Sequence, residues 1–159
     1  MNTFAAHKNG ASGFTLVEIV FALAIFVMVA ATIFSPLSQF RARKTLDAAV
    51  EVTLAAFSRA HFDTISSLND KQYGVHLDAD QVVHFAGPTY SAGDPGNSPY
   101  VLSSVIEIGA VTLVGGGNNV LFKQLNGATD QSGTFEIRVK ATPAVRVVVT
   151  VNGTGAVSL

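Results

Sequence analysis

The chain has 159 residues, of which 48 % are apolar and only 13 % are charged. This length allows one domain beside a membrane anchor but not two large domains. The net charge is −1. Nucleic-acid binding needs a broad basic face, so we consider a nucleic-acid partner unlikely. Cysteine is absent, which excludes disulfides, thiolate metal sites and a cysteine nucleophile.

Residues 14–37 form an apolar segment in which Glu18 is the one charged residue. A helix needs roughly 20 apolar residues to cross hydrocarbon, so the sequence predicts that this segment is a transmembrane helix. A carboxylate inside such a segment costs roughly 2.5–3.5 kcal/mol and therefore indicates a function. The polar stretch in front of it, residues 1–13, ends in Gly13.

Three interpretations of this N-terminal region compete. A secretory signal peptide would be cut after Val29-Ala30-Ala31, which is an acceptable small-residue site, and would leave a chain that starts at Thr32. A signal anchor would stay uncut. In the third interpretation the chain is cut after Gly13 on the cytoplasmic side, and the whole apolar helix stays in the mature protein.

The order of residues around Gly13 favours the third interpretation. Gly13, then Phe14-Thr15-Leu16-Val17-Glu18 and an apolar helix, resembles the prepilin signature of type IV pilins and type II secretion pseudopilins. This resemblance implies that prepilin peptidase removes the leader 1–13 by cutting between Gly13 and Phe14, and that it methylates the new Phe14 amine. It also implies that Glu18 recruits the subunit to the filament, because a buried carboxylate needs a positive partner such as a neighbour's terminal amine.

The same resemblance implies a location and a set of partners. We expect a single-pass protein of the bacterial inner membrane with a periplasmic head, which then enters a pseudopilus or pilus. Its partners would be prepilin peptidase, other pilin or pseudopilin subunits, the inner-membrane assembly platform and, before assembly, membrane lipid. The basic residues Arg41, Arg43 and Lys44 favour the opposite orientation by the positive-inside rule, but the prepilin junction is the more specific signal.

Residues 38–71 are predicted to be the amphipathic half of the same helix. Pro36 predicts a kink before it, because proline removes a backbone hydrogen bond from a helix interior. Arg59 and Asp63 fall largely off the predicted apolar stripe, and the helix is expected to end near Leu68. The stripe follows helical spacing through Leu46, Val50, Leu54, Phe57, His61, Ile65 and Leu68.

Residues 72–159 are predicted to be a small antiparallel β-rich head, so that the whole chain has an α+β, pilin-like fold. Short apolar runs separated by turn residues indicate about seven strands, arranged as two packed sheets or as one sheet folded over the helix. The turns are predicted at Gly115–Asn119, Asn126-Gly127 and Asn152-Gly153. The predicted strands are 75–77, 81–85, 100–108, 111–114, 120–125, 135–140 and 145–151.

The head resembles, more loosely, the GspH/FimT type of minor pilin and pseudopilin. The matching patterns are Tyr73-Gly74-Val75, Val120-Leu121-Phe122 and Arg146–Val149 running into Asn152–Gly155. The resemblance implies a low-abundance subunit that helps to start or cap a filament. Major-pilin heads often carry a cysteine pair, which this chain lacks.

Candidate chemical sites in the head are sparse, and we expect neither an enzyme nor a cofactor or metal site. The glycine run at 115–117 lacks the Lys-Ser/Thr of a phosphate loop. Whether His76 and His84 share a face of one hairpin depends on the length of the loop between their strands, and a two-residue turn at Ala79-Asp80 would place them on opposite faces. The loop carboxylates Asp78, Asp80 and Asp94 are candidates for calcium but are better explained as turn-forming residues.

A different class of function stays open as the alternative. The chain could be a membrane-anchored or secreted β-domain that binds a ligand, as a competence-type minor pilin or an adhesive subunit does. The basic residues of the head are outnumbered by its acids, so we expect weak or no DNA binding.

Overall fold

The computed structural model describes residues 13–159, with all of their side chains except those of residues 32–38. It divides into two compact units, one that ends at Gln39 and one that spans Phe40–Leu159. Of the predicted leader, residues 1–12 therefore lie outside the described residues, and Gly13 is its one described member.

The helical part of the chain is α1 (Leu16–Ile65), followed by a short 3-10 turn at Leu68–Asp70. Pro36 lies within α1 where side chains are not described, so the kink expected there stays a prediction. Judged over the described residues, no helix combines the length and the apolar character that crossing a membrane requires.

Eight strands form the β-rich part of the second unit. They make two four-stranded antiparallel sheets with the orders β3-β2-β1-β5 and β4-β6-β7-β8. This confirms the α+β fold class and the two-sheet form of the head. The strands are β1 (Tyr73–Leu77), β2 (Gln81–Ala86), β3 (Ser98–Val101), β4 (Ile106–Leu113), β5 (Asn119–Leu121), β6 (Gly133–Val139), β7 (Thr142–Val151) and β8 (Val157–Ser158).

The predicted strand 100–108 is wrong, because the chain changes sheets within it. Residues 100–101 end β3, whereas Ile106 begins β4 in the second sheet. A turn separates them, in which the Ile106 N–H donates to the Ser103 carbonyl at 2.8 Å. Residues 111–113, predicted as part of a separate strand, continue β4 beyond an irregularity between Gly109 and Thr112, where Ala110 has a φ of 47°.

The core lies where α1 meets the inner faces of both sheets. Phe57 of α1 is 1 % exposed, and its ring stacks on Phe135 of β6 with centroids 5.8 Å apart. The same ring meets the edge of Phe122, which follows β5, at 6.4 Å. One helix residue therefore contacts aromatic rings from the second sheet and from the segment that follows β5.

The buried face of α1 is rotated from the predicted stripe. Ile65 and Leu68, predicted to be buried, are 43 % and 44 % exposed. Ala56 and Ala60 are completely buried instead, because their short side chains let the sheets approach the helix closely. The buried helix residues are Leu46, Ala49, Val50, Thr53, Ala56, Phe57, Ala60, Asp63 and Thr64.

Buried threonines on this face satisfy their hydroxyls locally. Thr64 Oγ1 donates to the Ala60 carbonyl at 2.8 Å and accepts the Tyr73 N–H at 2.9 Å. It thereby ties α1 to the first residue of β1. Thr53 Oγ1 donates to the Ala49 carbonyl in the same way, so neither hydroxyl carries the cost of burial without a partner.

Candidate functional site

The predicted cleavage junction lies just before the first turn of α1. Residues 13–15 are not helical, Gly13 is exposed, and nothing lies within 4 Å of a Cβ built on it. Thr15 caps the helix, since its Oγ1 accepts the Glu18 N–H at 3.2 Å. The spacing Thr15-x-x-Glu18 is that of a capping box, a signal of a helix start that is present in the sequence itself.

Glu18 is exposed and occupies the first turn of α1. A carboxylate there interacts favourably with the positive end of the helix dipole, typically by about 0.3–1 kcal/mol. Phe14, Glu18, Ala22 and Phe26 line one shallow surface groove of the helix. The carboxylate therefore has a local, stabilising position and lies within an otherwise apolar surface.

The first half of α1 leaves its apolar side chains uncovered. Phe14 is 78 % exposed, Phe21 67 % and Met28 71 %. The exposed residues are nearly consecutive, so they point to every side of the helix rather than to one face: Phe14, Leu16, Val17, Ile19, Val20, Phe21, Leu23, Ile25, Phe26, Val27 and Met28. Such an area exceeds what a monomer in water ordinarily exposes and indicates contact with protein or lipid.

The histidines of the first hairpin lie on opposite faces, which is the arrangement that a two-residue turn requires. His76 is paired with Val83 and His84 with Val75. The turn is closed by Asp78, whose N–H donates to the Gln81 carbonyl at 3.0 Å and whose Oδ1 accepts the Ala79 N–H at 2.8 Å. Asp78 is therefore a turn-forming residue.

A loop between β2 and β3 covers the outer face of the first sheet. The Tyr90 ring stacks on His76 with centroids 3.9 Å apart and meets Phe85 at 5.6 Å. His76 Nδ1 is 2.6 Å from Asn119 Oδ1, which fixes the ring in a structural position. In the same loop Asp94 Oδ1 accepts the Gly96 N–H at 2.7 Å, so this carboxylate also forms a turn.

Beside this loop lies a cavity of about 310 Å³ with no charged residue in its wall. It is lined by Phe85, Pro88, Thr89, Gly116, Gly117, Asn119, Leu121 and Gln131. No group of three or more potential metal ligands occurs among the residues described by the structure. Within that part of the chain, the arrangement offers neither a nucleophile with a base nor a cation site.

Basic side chains of the head are mostly paired with acids. Lys123 Nζ is 2.6 Å from Asp130, Arg138 Nε is 2.7 Å from Glu107, and Arg146 Nε is 3.3 Å from Glu136. On the second sheet, Arg138 of β6 lies between Glu107 of β4 and Arg146 of β7. Each of these positive side chains is therefore partly neutralised by an acid close to it.

Sequence reasoning missed one buried polar cluster. Asp63, predicted to lie largely off the buried face, is 8 % exposed, and its Oδ2 lies 3.1 Å from Nε2 of His84. Asp63 Oδ2 is also 3.6 Å from Arg59 Nε. Nothing near Asp63 in the sequence indicated that it is buried, because its partner His84 is distant in the sequence.

Comparison with known families agrees with the N-terminal geometry. Residues 8–34 match the family described as the prokaryotic N-terminal methylation motif. The chain thus carries the prepilin motif, and this supports the predicted type IV pilin and pseudopilin family. The resemblance of the head to GspH/FimT proteins is not confirmed. No curated protein and no solved structure matches the chain.

Proposed function

We propose that the protein is a minor subunit of a type II secretion pseudopilus or a type IV pilus. In this function prepilin peptidase removes residues 1–13 and methylates the Phe14 amine. The observation that carries the proposal is the methylation motif at 8–34, together with the helix that follows it with its apolar side chains uncovered on every side.

Two environments account for that uncovered surface in the proposed function. Before assembly, residues 14–37 are held in the inner membrane, with the head on the periplasmic side. In the filament, the same side chains pack among the helices of other subunits. A head with its own core suits both states, because residues from α1 and both sheets already form one continuous buried cluster.

The lack of a catalytic constellation in the described part of the head is consistent with a structural role. Its paired charges favour protein contacts over nucleic acid. The further proposal that this subunit has low abundance and lies where a filament starts or ends rests on the loose resemblance of its head to GspH/FimT proteins.

N-terminal processing tests the proposal directly. Mass analysis of the chain purified from its native host is expected to find a mature protein that starts at methylated Phe14. Gly13→Val is expected to accumulate uncleaved precursor, because the peptidase requires the small residue before the cut. The substitution has room, since nothing lies within 4 Å of a Cβ at Gly13.

The matched control is Gly10→Val, which changes another glycine of the leader and is expected to be processed normally. A mature chain that starts at Thr32 would show an ordinary secreted β-domain and would contradict the proposal. Normal processing of Gly13→Val would contradict the position assigned to the cut.

A further inference from the structure

A buried histidine and a buried carboxylate meet between α1 and β2. His84 is 4 % exposed and Asp63 is 8 % exposed. Nε2 of His84 lies 3.1 Å from Oδ2 of Asp63, but among the described residues neither ring nitrogen has a hydrogen-bond partner. This contact joins the helix to the first sheet at a point where buried polar atoms are incompletely satisfied.

Charged and titratable groups face His84 from three elements. From α1 come Asp63 and, behind it, Arg59, whose Nε is 3.6 Å from Asp63 Oδ2. From β1 comes Tyr73, whose ring stacks on the imidazole with centroids 5.2 Å apart. From β3 comes Tyr100, whose hydroxyl accepts from Arg59 Nη1 at 3.3 Å.

These surroundings favour the neutral imidazole in the folded protein. Burial lowers the pKa of His84 from its ordinary value, mainly because a charged ring would lose its hydration. The Asp63 carboxylate opposes this shift, and the positive Arg59 adds to it. The folded state therefore resists protonation at a position that an unfolded chain would protonate freely.

We propose that the buried His84 beside Asp63 makes the attachment of α1 to the first sheet sensitive to pH, so that mild acid weakens it. Protonation places a positive charge on a ring that burial has removed from water and that lies near Arg59, and the attraction of the Asp63 carboxylate offsets this cost only in part. The helix half that carries the head then loses part of its hold on β2.

The direction of the pH dependence follows from the proton balance. A histidine in the unfolded chain has the ordinary pKa of about 6.5. The pKa of His84 in the folded protein is lower. Below about pH 6.5 the unfolded state holds more protons, so stability falls with pH until the folded group also titrates. The folded-to-unfolded ratio is expected to fall by up to about tenfold for each pH unit in that window.

Urea unfolding of the full chain in detergent micelles tests this inference. The folded-to-unfolded ratio is measured between pH 7.5 and pH 5.0 from tyrosine emission, which is usable because the chain has no tryptophan. Wild-type protein is expected to lose stability below about pH 6.5, and His84→Leu is expected to lose most of that dependence. The matched control is His76→Leu, on the opposite face of the same hairpin, which is expected to keep it.

An unchanged pH dependence in His84→Leu would overturn the proposal, as would a wild-type protein whose stability is flat across this window. If His84→Leu fails to fold, NMR of ¹⁵N-labelled imidazoles in wild-type protein decides the question. The pKa of His84 is expected to lie below its ordinary value, and a ring that titrates at or above that value would equally refute the inference.

Discussion

Gly74 has no side chain, and this allows close packing within the first sheet. It lies in β1, which has a strand on each side, and it is paired with Phe85 of β2 and with Leu121 of β5. A Cβ at this position would lie 2.6 Å from the Phe85 ring and 2.7 Å from the Val120 carbonyl oxygen. Backbone cannot retreat from such a contact without disturbing the ladder, so only glycine fits.

Gly74→Ala is therefore expected to destabilise the head by about 1–3 kcal/mol through overpacking. The measurement is urea unfolding of the full chain in detergent micelles at pH 7.5. Gly153→Ala is the control, because its added Cβ meets nothing closer than the Thr129 carbonyl oxygen at 3.9 Å. Equal stability of the two variants would show that β1 can shift to accept a methyl group.

Glu18 combines a local position with a proposed role between subunits. Its N–H is held by the Thr15 hydroxyl in the helix cap, and its side chain is exposed among apolar neighbours. Glu18→Gln keeps the size and hydrogen-bonding capacity of the side chain and removes its charge. The cap contact uses the backbone of residue 18, so it persists in the variant.

We expect Glu18→Gln to leave processing intact and to lower incorporation into filaments severalfold, because the carboxylate's positive partner on a neighbour is lost. Incorporation is measured by the amount of the subunit in sheared filaments relative to membranes. Glu51→Gln, an exposed acid farther along α1, serves as the control. Unchanged incorporation of Glu18→Gln would remove the role assigned to this charge.

At the scale of elements, α1 supplies a core face through its second half. Phe57 contacts the rings of Phe122 and Phe135. Phe62, five residues later, is 70 % exposed. The two phenylalanines have the same chemistry and the same helix but opposite environments. Substitutions at the two positions change helix propensity equally, so a difference between their effects on stability measures the contribution of packing.

Phe57→Ala is expected to lower the free energy of unfolding by about 3–5 kcal/mol, the cost of a large cavity in a closed core. Phe62→Ala is expected to change it by no more than about 0.5 kcal/mol. Urea midpoints of both full-length variants provide the measurement. A similar loss in both would mean that Phe62 is covered in solution.

The helix face illustrates what local patterns predict and what they miss. Spacing of large apolar residues correctly indicated Leu46, Val50 and Phe57, because each buries enough area to mark the core. It missed the alanines, whose burial follows from close approach of the sheets. It also missed Asp63, since the burial of a carboxylate depends on a histidine 21 positions away.

At the scale of the whole molecule, the fold class could be predicted from the sequence but the sheet connections could not. Local turn chemistry correctly located the turn at Asn152-Gly153, where β7 pairs with β8. The switch of sheets after Val101 depends on partners far along the chain, such as β6 for β4. Such pairing leaves no mark on the short run of residues in which the switch occurs.

The same limit applies to the functional region. The methylation motif is a contiguous signal, so residues 13–18 could be identified without any structure. The His84–Asp63 contact joins two elements and could be found only once the helix and the hairpin were placed together. Short-range chemistry can be read along a chain, whereas chemistry between elements needs the fold.

The helix cap at Thr15 has a consequence for the timing of maturation. The helix begins at Leu16. The Gly13–Phe14 bond therefore lies in exposed, non-helical chain while α1 is fully formed. Exposed irregular chain is where proteases act most readily. In the proposed maturation, the peptidase therefore needs no unwinding of the helix, and the subunit leaves the enzyme with its polymerising segment already folded.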